Sequence, residues 1–344
     1  MIIKQPFETL MKNGGRFIQN EIKLDELAKE SDKLCKDWEN YYCNNENGVN
    51  FKITDDMKFI YKTTDGMDRK ADITEFAFTQ LCARIGVPAS YIKKCFDEGK
   101  TKLAITNFKE WTTECNKTFL VREHDGVVRA ILSDSYKMFD CNKVVKSLQN
   151  TVDVEKYKAN EVFLSEDKLM VRFINRTPMQ IKNEKSPIYS GFTVSSSDVG
   201  RGALAMHYFI YRQICQNGMI VTEKNGTLFK QAHIGANMTD GKIALFHKAF
   251  MDIDYLDKYA IENIRKNQET MLKDYELNMY IEKIKRELKL SKKGQENLED
   301  LIQHTYGQTR WGVLNSITEL AQKYTLDTRV EFEAFAGNTM MRVA

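Results

Sequence analysis

The sequence predicts an α+β protein with a mixed, largely antiparallel sheet, short N-terminal helices and a long C-terminal helical region. Apolar residues recur at helical spacing in roughly the first hundred residues and again beyond Gly241. Between Lys117 and Val221 they follow instead the two-residue period of strands, with polar turn residues at intervals. Such segregation of strands and helices along the chain is typical of the α+β class.

The composition is that of a folded protein and excludes several functional classes. Of the 344 residues, 42% are hydrophobic and 29% charged, which argues against disordered and fibrous proteins. The net charge of +3 is far from the strongly basic balance of a dedicated nucleic-acid binder, although a local basic patch is compatible with it. No apolar run resembles a signal peptide or a membrane span, so we expect a cytoplasmic protein without membrane contact. Seven scattered cysteines, with no CxxC pair, predict reduced thiols, of which Cys82 and Cys215 lie among apolar neighbours and are expected in the core.

Three segments are expected along the chain: a peripheral N-terminal segment (1–50), an α+β core domain (51–240) and a C-terminal helical region packed on the core (241–344). The peripheral segment predicts one helix followed by a polar loop, because its apolar residues have loosely helical spacing up to Trp38.

The first half of the core domain carries clear boundary signals. The stretch FKITDDMKFIYKTT predicts one or two strands. Thr74 is a plausible N-cap for the next helix, which ends before Gly86, and a second short helix runs from Pro88 to Gly99. The dipeptide Asp125-Gly126 then separates two apolar runs and predicts a hairpin with a type I′ turn.

The second half of the core domain predicts a short helix near Asn142 and several strands. Two strands are joined by a polar turn at Asp167, and further strands follow in the segment from Gly191 to Val221, whose alternating residues give it two apolar faces. We expect Asn217-Gly218 to form a tight turn. Beyond it, a single long helix from Lys242 to about Leu290 must pack on a sheet or on a partner chain. Gly294 and its polar neighbours separate the two last helices, the second of which begins near Thr309.

No motif indicates catalysis or a resident metal or cofactor. The five histidines lack any metal-binding spacing, and SDVGRGA lacks the lysine and the third glycine of phosphate-binding loops. The three serines Ser195, Ser196 and Ser197 fit a turn whose hydroxyls bond to local backbone. We therefore predict no cofactor and no catalytic residue, and an enzyme of an unrecognised type is the hypothesis with the least support.

One constellation does fit nucleic-acid binding. Arg201 lies between two glycines, which would let a phosphate approach closely, and neighbouring strands alternate cations with aromatic residues, as proteins that grip single-stranded nucleic acid do. The same alternation also fits ordinary cation–π packing within a sheet, so both interpretations stay open. The candidate nucleic-acid-binding residues are Arg201, Gly200, Gly202, Arg172, Arg176, Arg212, Lys230, Tyr208 and Tyr211.

Four segments together resemble the phage/plasmid-like protein family, also catalogued as domain of unknown function 932. They are LCARIGVPASYIKKC, VVRAILSDSYKMFDCNKVVKSL, GFTVSSSDVGRGALAMHYFIYRQICQNGMIV and TRWGVLNSITELAQKY. The third is the most specific, with family positions at Gly191, Ser197, Val199, Gly200, Arg212, Cys215, Asn217, Gly218 and Met219. The resemblance spans roughly Thr74 to Gly337 and implies a gene carried by phages and plasmids, without implying a reaction or a catalytic residue.

Two functional hypotheses follow. The first is a protein that binds nucleic acid, with single-stranded DNA favoured, in recombination or establishment of a mobile element. The alternative is a non-enzymatic interaction protein that inhibits or redirects a host factor, such as a defence component. Homo-oligomerisation through the long helix is compatible with both.

Overall fold

The computed structural model describes residues 23–45, 50–165, 167–182, 184, 186–212, 217–222, 226–233, 246 and 248–342. Within them, the strands form two six-stranded sheets, and helices pack against both. The predicted α+β class is confirmed, although the strands are divided between two sheets where the sequence suggested one. Cys215 lies outside the described residues, whereas Cys82 is fully buried, as expected.

The first sheet follows helix α1 (Leu24–Cys35) along the chain. Its strands are β1 (Trp38–Asn44), β2 (Phe51–Ile53), β3 (Phe59–Lys62), β4 (Asp68–Ile73), β5 (Thr118–His124) and β6 (Val127–Ser133). Their order is β1-β5-β6-β4-β3-β2, and every neighbouring pair is antiparallel except β4 with β6. Three helices share its core: α2 (Glu75–Ile85), α3 (Ala89–Asp97) and α4 (Thr101–Thr113).

Several local signals in this half of the chain act as predicted, but Trp38–Asn44 form β1, paired with β5, where the sequence suggested a helix and a loop. The Thr74 hydroxyl accepts the N–H of the third residue after it at 3.2 Å, and Gly86 ends α2 with φ +85°. The hairpin β5–β6 turns through Asp125 and Gly126 at φ +51° and +71°, and positive φ at both positions is what a type I′ turn requires. Helix α4, by contrast, is not predicted by the sequence, because it buries only a narrow set of residues.

The second sheet contains the segment from Gly191 to Val221. Its strands are β7 (Tyr157–Leu164), β8 (Leu169–Asn175), β9 (Ile188–Ser196), β10 (Leu204–Arg212), β11 (Asn217–Val221) and β12 (Thr227–Gln231). They are antiparallel in the order β11-β10-β9-β8-β7, while β12 pairs with the first half of β10. Helix α5 (Cys141–Thr151) connects the two sheets along the chain and packs with α1 in the core of the second.

The C-terminal region is helical, but the expectation of a single helix from Lys242 to Leu290 is wrong. A 3₁₀ turn (Ala249–Asp252) leads into α6 (Ile253–Glu269), and α7 (Asp274–Glu287) begins only after a break. The break is fixed by pairing, since Met271 bridges Thr309 and the Leu272 N–H donates to the Gln308 carbonyl at 3.0 Å. Residues 241–245 lie outside the described part of the chain.

The last helices close the second sheet. They are α8 (Lys292–Asp300), a π-helical turn (Leu301–Tyr306), α9 (Arg310–Ala321) and α10 (Leu326–Met341). Gly294 lies inside α8 and is not the predicted separator, whereas Thr309 caps α9 by accepting the Gly312 N–H at 3.0 Å. Helix α10 packs so closely on β11 that a Cβ at Gly337 would lie 2.3 Å from the Ile220 carbonyl oxygen. Both faces of this sheet therefore carry packed residues, as predicted.

Candidate functional site at the junction of the two sheets

The loop from Ser197 to Gly202, here called the junction loop, leaves the end of β9 and leads into β10. Its first residue organises it, because the Ser197 hydroxyl donates to the Asp167 carbonyl at 2.7 Å and accepts the Arg201 N–H at 2.9 Å. The bonding to local backbone predicted for Ser197 is confirmed, whereas Ser195 and Ser196 lie in β9 and not in the predicted turn, because they pair with neighbouring strands. The two glycines differ: Gly200 has φ +80°, and a Cβ there would lie 2.7 Å from Leu132, whereas a Cβ at Gly202 would meet nothing within 4 Å.

Three side chains from the part of the chain that forms the first sheet and its helices donate hydrogen bonds to the backbone of the junction loop. The Tyr136 hydroxyl donates to the Ser197 carbonyl at 3.0 Å. Arg122 Nη1 donates to the Asp198 carbonyl at 2.6 Å, and Gln80 Nε2 donates to the Val199 carbonyl at 2.9 Å. Three consecutive carbonyls are thus paired across the junction, which fixes the backbone of the loop against the first sheet.

The Asp198 side chain enters a buried cluster with two cysteines. Asp198 is 3% exposed, its Oδ2 accepts the Cys141 N–H at 3.2 Å, and Cys35 Sγ lies 3.9 Å from the same oxygen. The sulfur atoms of Cys35 and Cys141 are 3.2 Å apart. Burial, and then the nearby charge of Asp140, raise the pKa of the Asp198 carboxyl to about 6. Hydrogen bonding with Cys35, followed by burial, raises the pKa of Cys141.

Arg122 forms the other side of this cluster. Its guanidinium is fully buried, stacks 4.4 Å from the Trp38 ring, and contacts Asn40 Oδ1 and Asp140 Oδ1, both at 2.8 Å. Within the described residues, Arg122 Nη2 and Asp198 Oδ1 are both buried without a hydrogen-bond partner. A buried polar atom without a partner is costly, so a ligand that pairs with these two atoms would be stabilised at the junction.

The predicted cation cluster is only partly assembled. Arg201 and Lys230 lie at the same end of the second sheet, since Arg201 lies just before β10 and Lys230 pairs with Ala205. Lys230 is exposed, and the Arg201 side chain is 37% exposed. The Arg201 guanidinium stacks 4.3 Å from the Phe76 ring, and its Nε lies 3.0 Å from Asp167 Oδ2.

Three further predicted residues lie at the opposite end of the sheet. Arg176 follows β8 and donates from Nε to the Val154 carbonyl at 2.9 Å. Arg212 ends β10, where its Nε lies 3.3 Å from Glu184 Oε2, and Tyr211 beside it is half-buried. The length of the sheet separates these residues from Arg201, so the nine candidates do not form one patch.

Two of the predicted nucleic-acid contacts are corrected by the structure. Arg172 is fully buried under α10, where it pairs with Glu161 and Glu333. Tyr208 is also fully buried and donates its hydroxyl to Asp257 Oδ1 at 2.8 Å. Both side chains project from β strands onto covered faces, and neither can reach a nucleic acid.

The expected turn at Asn217-Gly218 is likewise wrong. The two residues begin β11, where Gly218 pairs with Tyr211. A Cβ at Gly218 would lie 2.2 Å from the Phe209 ring, so the glycine permits close packing of a side chain. Gly191 has a similar role in β9, since a Cβ there would lie 1.9 Å from the Phe173 carbonyl oxygen.

The Cys35, Cys141 and Asp198 cluster has no counterpart in the sequence prediction. Its members come from the end of α1, the start of α5 and the junction loop, so no local spacing connects them. The one usable signal is that two of them lie in segments that carry the family resemblance.

Comparison with known proteins gives a family and nothing narrower. No described helix combines the length and apolarity needed to cross a membrane. No curated protein and no solved structure matches the chain. A single family model does match, and it covers residues 129–339, from β6 through most of α10. Because this is more than half of the sequence, the chain belongs to the family described as Domain of unknown function (DUF932).

Proposed function

We propose that the protein binds nucleic acid, with single-stranded DNA favoured, at the Arg201 end of the second sheet. The cellular setting we propose is recombination or establishment of a mobile element such as a phage or plasmid. The observation that carries this proposal is the geometry of Arg201, a partly exposed guanidinium held in one orientation on a loop that ends in an unobstructed glycine.

The contacts of Arg201 leave it able to bind a phosphate. Stacking on Phe76 and the ion pair with Asp167 orient the guanidinium through its face and its Nε edge. A guanidinium has five N–H donors, and the Arg201 side chain is 37% exposed, so its Nη groups can bind a phosphate while Nε pairs with Asp167. Because Gly202 has no side chain, a sugar–phosphate backbone can approach this edge closely.

Lys230 supplies a second cation at the same end of the sheet. It lies on β12, which pairs with the first half of β10, and its side chain is exposed. Two cations at one sheet end fit successive phosphates of a flexible strand, and contacts to phosphate of this kind do not depend on base sequence.

The proposal is tested by fluorescence anisotropy with a labelled oligothymidylate over a range of salt concentrations. Wild-type protein should bind, with log affinity falling linearly against log salt. The double variant Arg201→Gln/Lys230→Gln should bind more weakly, and its salt slope should be smaller by about 1.4, which is about 0.7 for each lost phosphate contact on a single strand.

Arg176→Gln is the matched control, because it removes an exposed arginine from the opposite end of the same sheet. It should leave both affinity and salt slope close to wild type. Absence of wild-type binding, or equal weakening by the control and the double variant, would contradict the proposal.

A second candidate function, docking of a host protein, is favoured by a different surface. Tyr275 and Met279 are 61% and 71% exposed and lie four residues apart on α7, so they form one apolar stripe, and Met271, which is 68% exposed, lies in the break before the helix. The opposite side of the helix is buried through Leu277 and Ile281. Exposed apolar stripes of this kind are typical of protein-binding surfaces.

The double variant Tyr275→Glu/Met279→Glu tests this alternative without touching the core. A stoichiometric protein recovered from host lysate with wild type and lost with the variant would support it. Equal recovery by the two proteins would remove the stripe from consideration, and DNA binding should be unaffected in either case.

A further inference from the structure

Three potential metal ligands converge between α1, α5 and the junction loop. Cys35 is the last residue of α1, Cys141 is the first of α5, and Asp198 lies in the junction loop. One ligand atom from each lies within 4.8 Å of the other two. Three separate elements thus place two sulfur atoms and a carboxylate around one point.

The distances fit a tetrahedral zinc site. With Zn–S near 2.3 Å and Zn–O near 2.0 Å, neighbouring ligand atoms of a tetrahedron lie about 3.5 to 3.8 Å apart. The two sulfurs are 3.2 Å apart and Cys35 Sγ lies 3.9 Å from Asp198 Oδ2, so binding would widen the S–S separation by about 0.6 Å and shorten this S–O separation by about 0.4 Å.

The buried carboxylate indicates a cation and not a disulfide. Asp198 Oδ1 has no hydrogen-bond partner among the described residues although the side chain is 3% exposed. A disulfide between Cys35 and Cys141 would add no charge to balance this buried carboxylate, whereas a divalent cation bound at Oδ2, the oxygen that faces the sulfurs, would neutralise it.

We propose that Cys35, Cys141 and Asp198 bind Zn²⁺, with a fourth coordination position left for water or another ligand. On binding, the two thiols release their protons to solvent and coordinate as thiolates, so no oxidant is required. Cys141 and Asp198 lie within the residues that match the family model, and Cys35 lies before them. The ion therefore links α1 to the family domain.

The first experiment measures the metal directly. Protein purified under reducing conditions should contain about one zinc per chain by mass spectrometry of elements. After chelation, Co²⁺ should produce the thiolate-to-cobalt absorption of the near ultraviolet and the intense visible bands of tetrahedral cobalt. Octahedral cobalt without a sulfur band would overturn the assignment, as would the absence of bound metal.

Variants then identify the ligands. Cys141→Ser and Asp198→Asn should each lower the affinity for Zn²⁺ at least about a hundredfold, the upper end of the effect of losing an outer-shell partner. Cys35→Ala is the variant least able to disturb folding, because Cys35 is partly exposed at a helix end, and it should also lose the cobalt sulfur band. The control variant is Cys95→Ser, because Cys95 lies in the hydrophobic core of the first sheet and its helices, and it should bind metal as wild type does.

A disulfide is the specific alternative outcome. If unreduced protein contains no zinc and Cys35 and Cys141 resist alkylation until a reductant is added, the two cysteines are bonded and the metal proposal fails. The nucleic-acid proposal is independent of this result, since Arg201 and Lys230 are not ligands.

Discussion

The Glu333→Gln variant should be much less stable than wild type, because the substitution removes one negative charge from a buried cluster of ion pairs. Glu333 is fully buried on α10 and pairs with both Arg172 and Arg329, while Glu161 pairs with the same two arginines. The four charges cancel. Glu333→Gln leaves two buried guanidiniums facing one carboxylate, and breaking a buried ion pair in this way costs about 3–5 kcal/mol.

A second variant separates charge imbalance from simple loss of contacts. Arg172→Met together with Glu333→Met removes one charge of each sign and leaves the Arg329–Glu161 pair, whose Nη1 to Oε1 distance is 3.0 Å. Replacement of a balanced buried pair by apolar side chains is often nearly neutral. We therefore expect the double variant to be more stable than Glu333→Gln, although it changes more atoms.

Urea unfolding followed by circular dichroism measures both effects. Glu331→Gln is the matched control, since Glu331 lies two residues away on the same helix and is exposed, and it should change the unfolding free energy by less than about 0.5 kcal/mol. Equal stability of the Glu333 and Glu331 variants would refute the reasoning, as would a double variant less stable than Glu333→Gln.

Two further changes test other parts of the second sheet. Burial, and then the Lys230 charge, lower the pKa of His207 to about 4. The unfolding free energy of wild type should therefore fall by up to about 3 kcal/mol relative to His207→Gln as the pH falls from about 6.5 to 4. Urea unfolding at several pH values measures this, and an equal pH dependence of the two proteins would contradict it. Gly191→Ala should destabilise the protein by about 1–3 kcal/mol, because the added Cβ would overlap the Phe173 carbonyl. Gly202→Ala should be nearly neutral, because a Cβ there meets nothing within 4 Å, and the thermal unfolding midpoints of the two variants check both expectations.

Much of the fold was predictable because its boundaries are set by short-range chemistry. Thr74 and Thr309 cap helices through their own hydroxyls, and Asp125-Gly126 fits one class of hairpin turn. The two-residue period likewise located β7 to β10, whose inward residues form one continuous core. Each of these signals involves residues close together in the chain, so no knowledge of the tertiary structure is needed to interpret them.

The misassignments have long-range causes. The break between α6 and α7 is produced by backbone pairing of Met271 with Thr309, which are 38 positions apart, and helical spacing alone continues through it. Asn217-Gly218 has the composition of a turn but lies in β11, where Gly218 pairs with Tyr211 and its missing Cβ makes room for the Phe209 ring. In both cases a tertiary contact overrides a local preference.

The contrast between local signals and long-range contacts also explains why only some of the predicted nucleic-acid-binding residues are exposed. Arg172 and Arg201 are both candidates in the sequence, Arg172 beside an aromatic residue and Arg201 between two glycines. Arg172 faces two carboxylates from other elements and serves to attach α10, whereas Arg201 retains exposed surface. Within the junction loop, Ser197 and Gly200 are accounted for by loop conformation, and Asp198 by the cysteine cluster. Of this loop, only the Arg201 side chain is both charged and directed to solvent, so a partner that recognises the loop by charge must do so there.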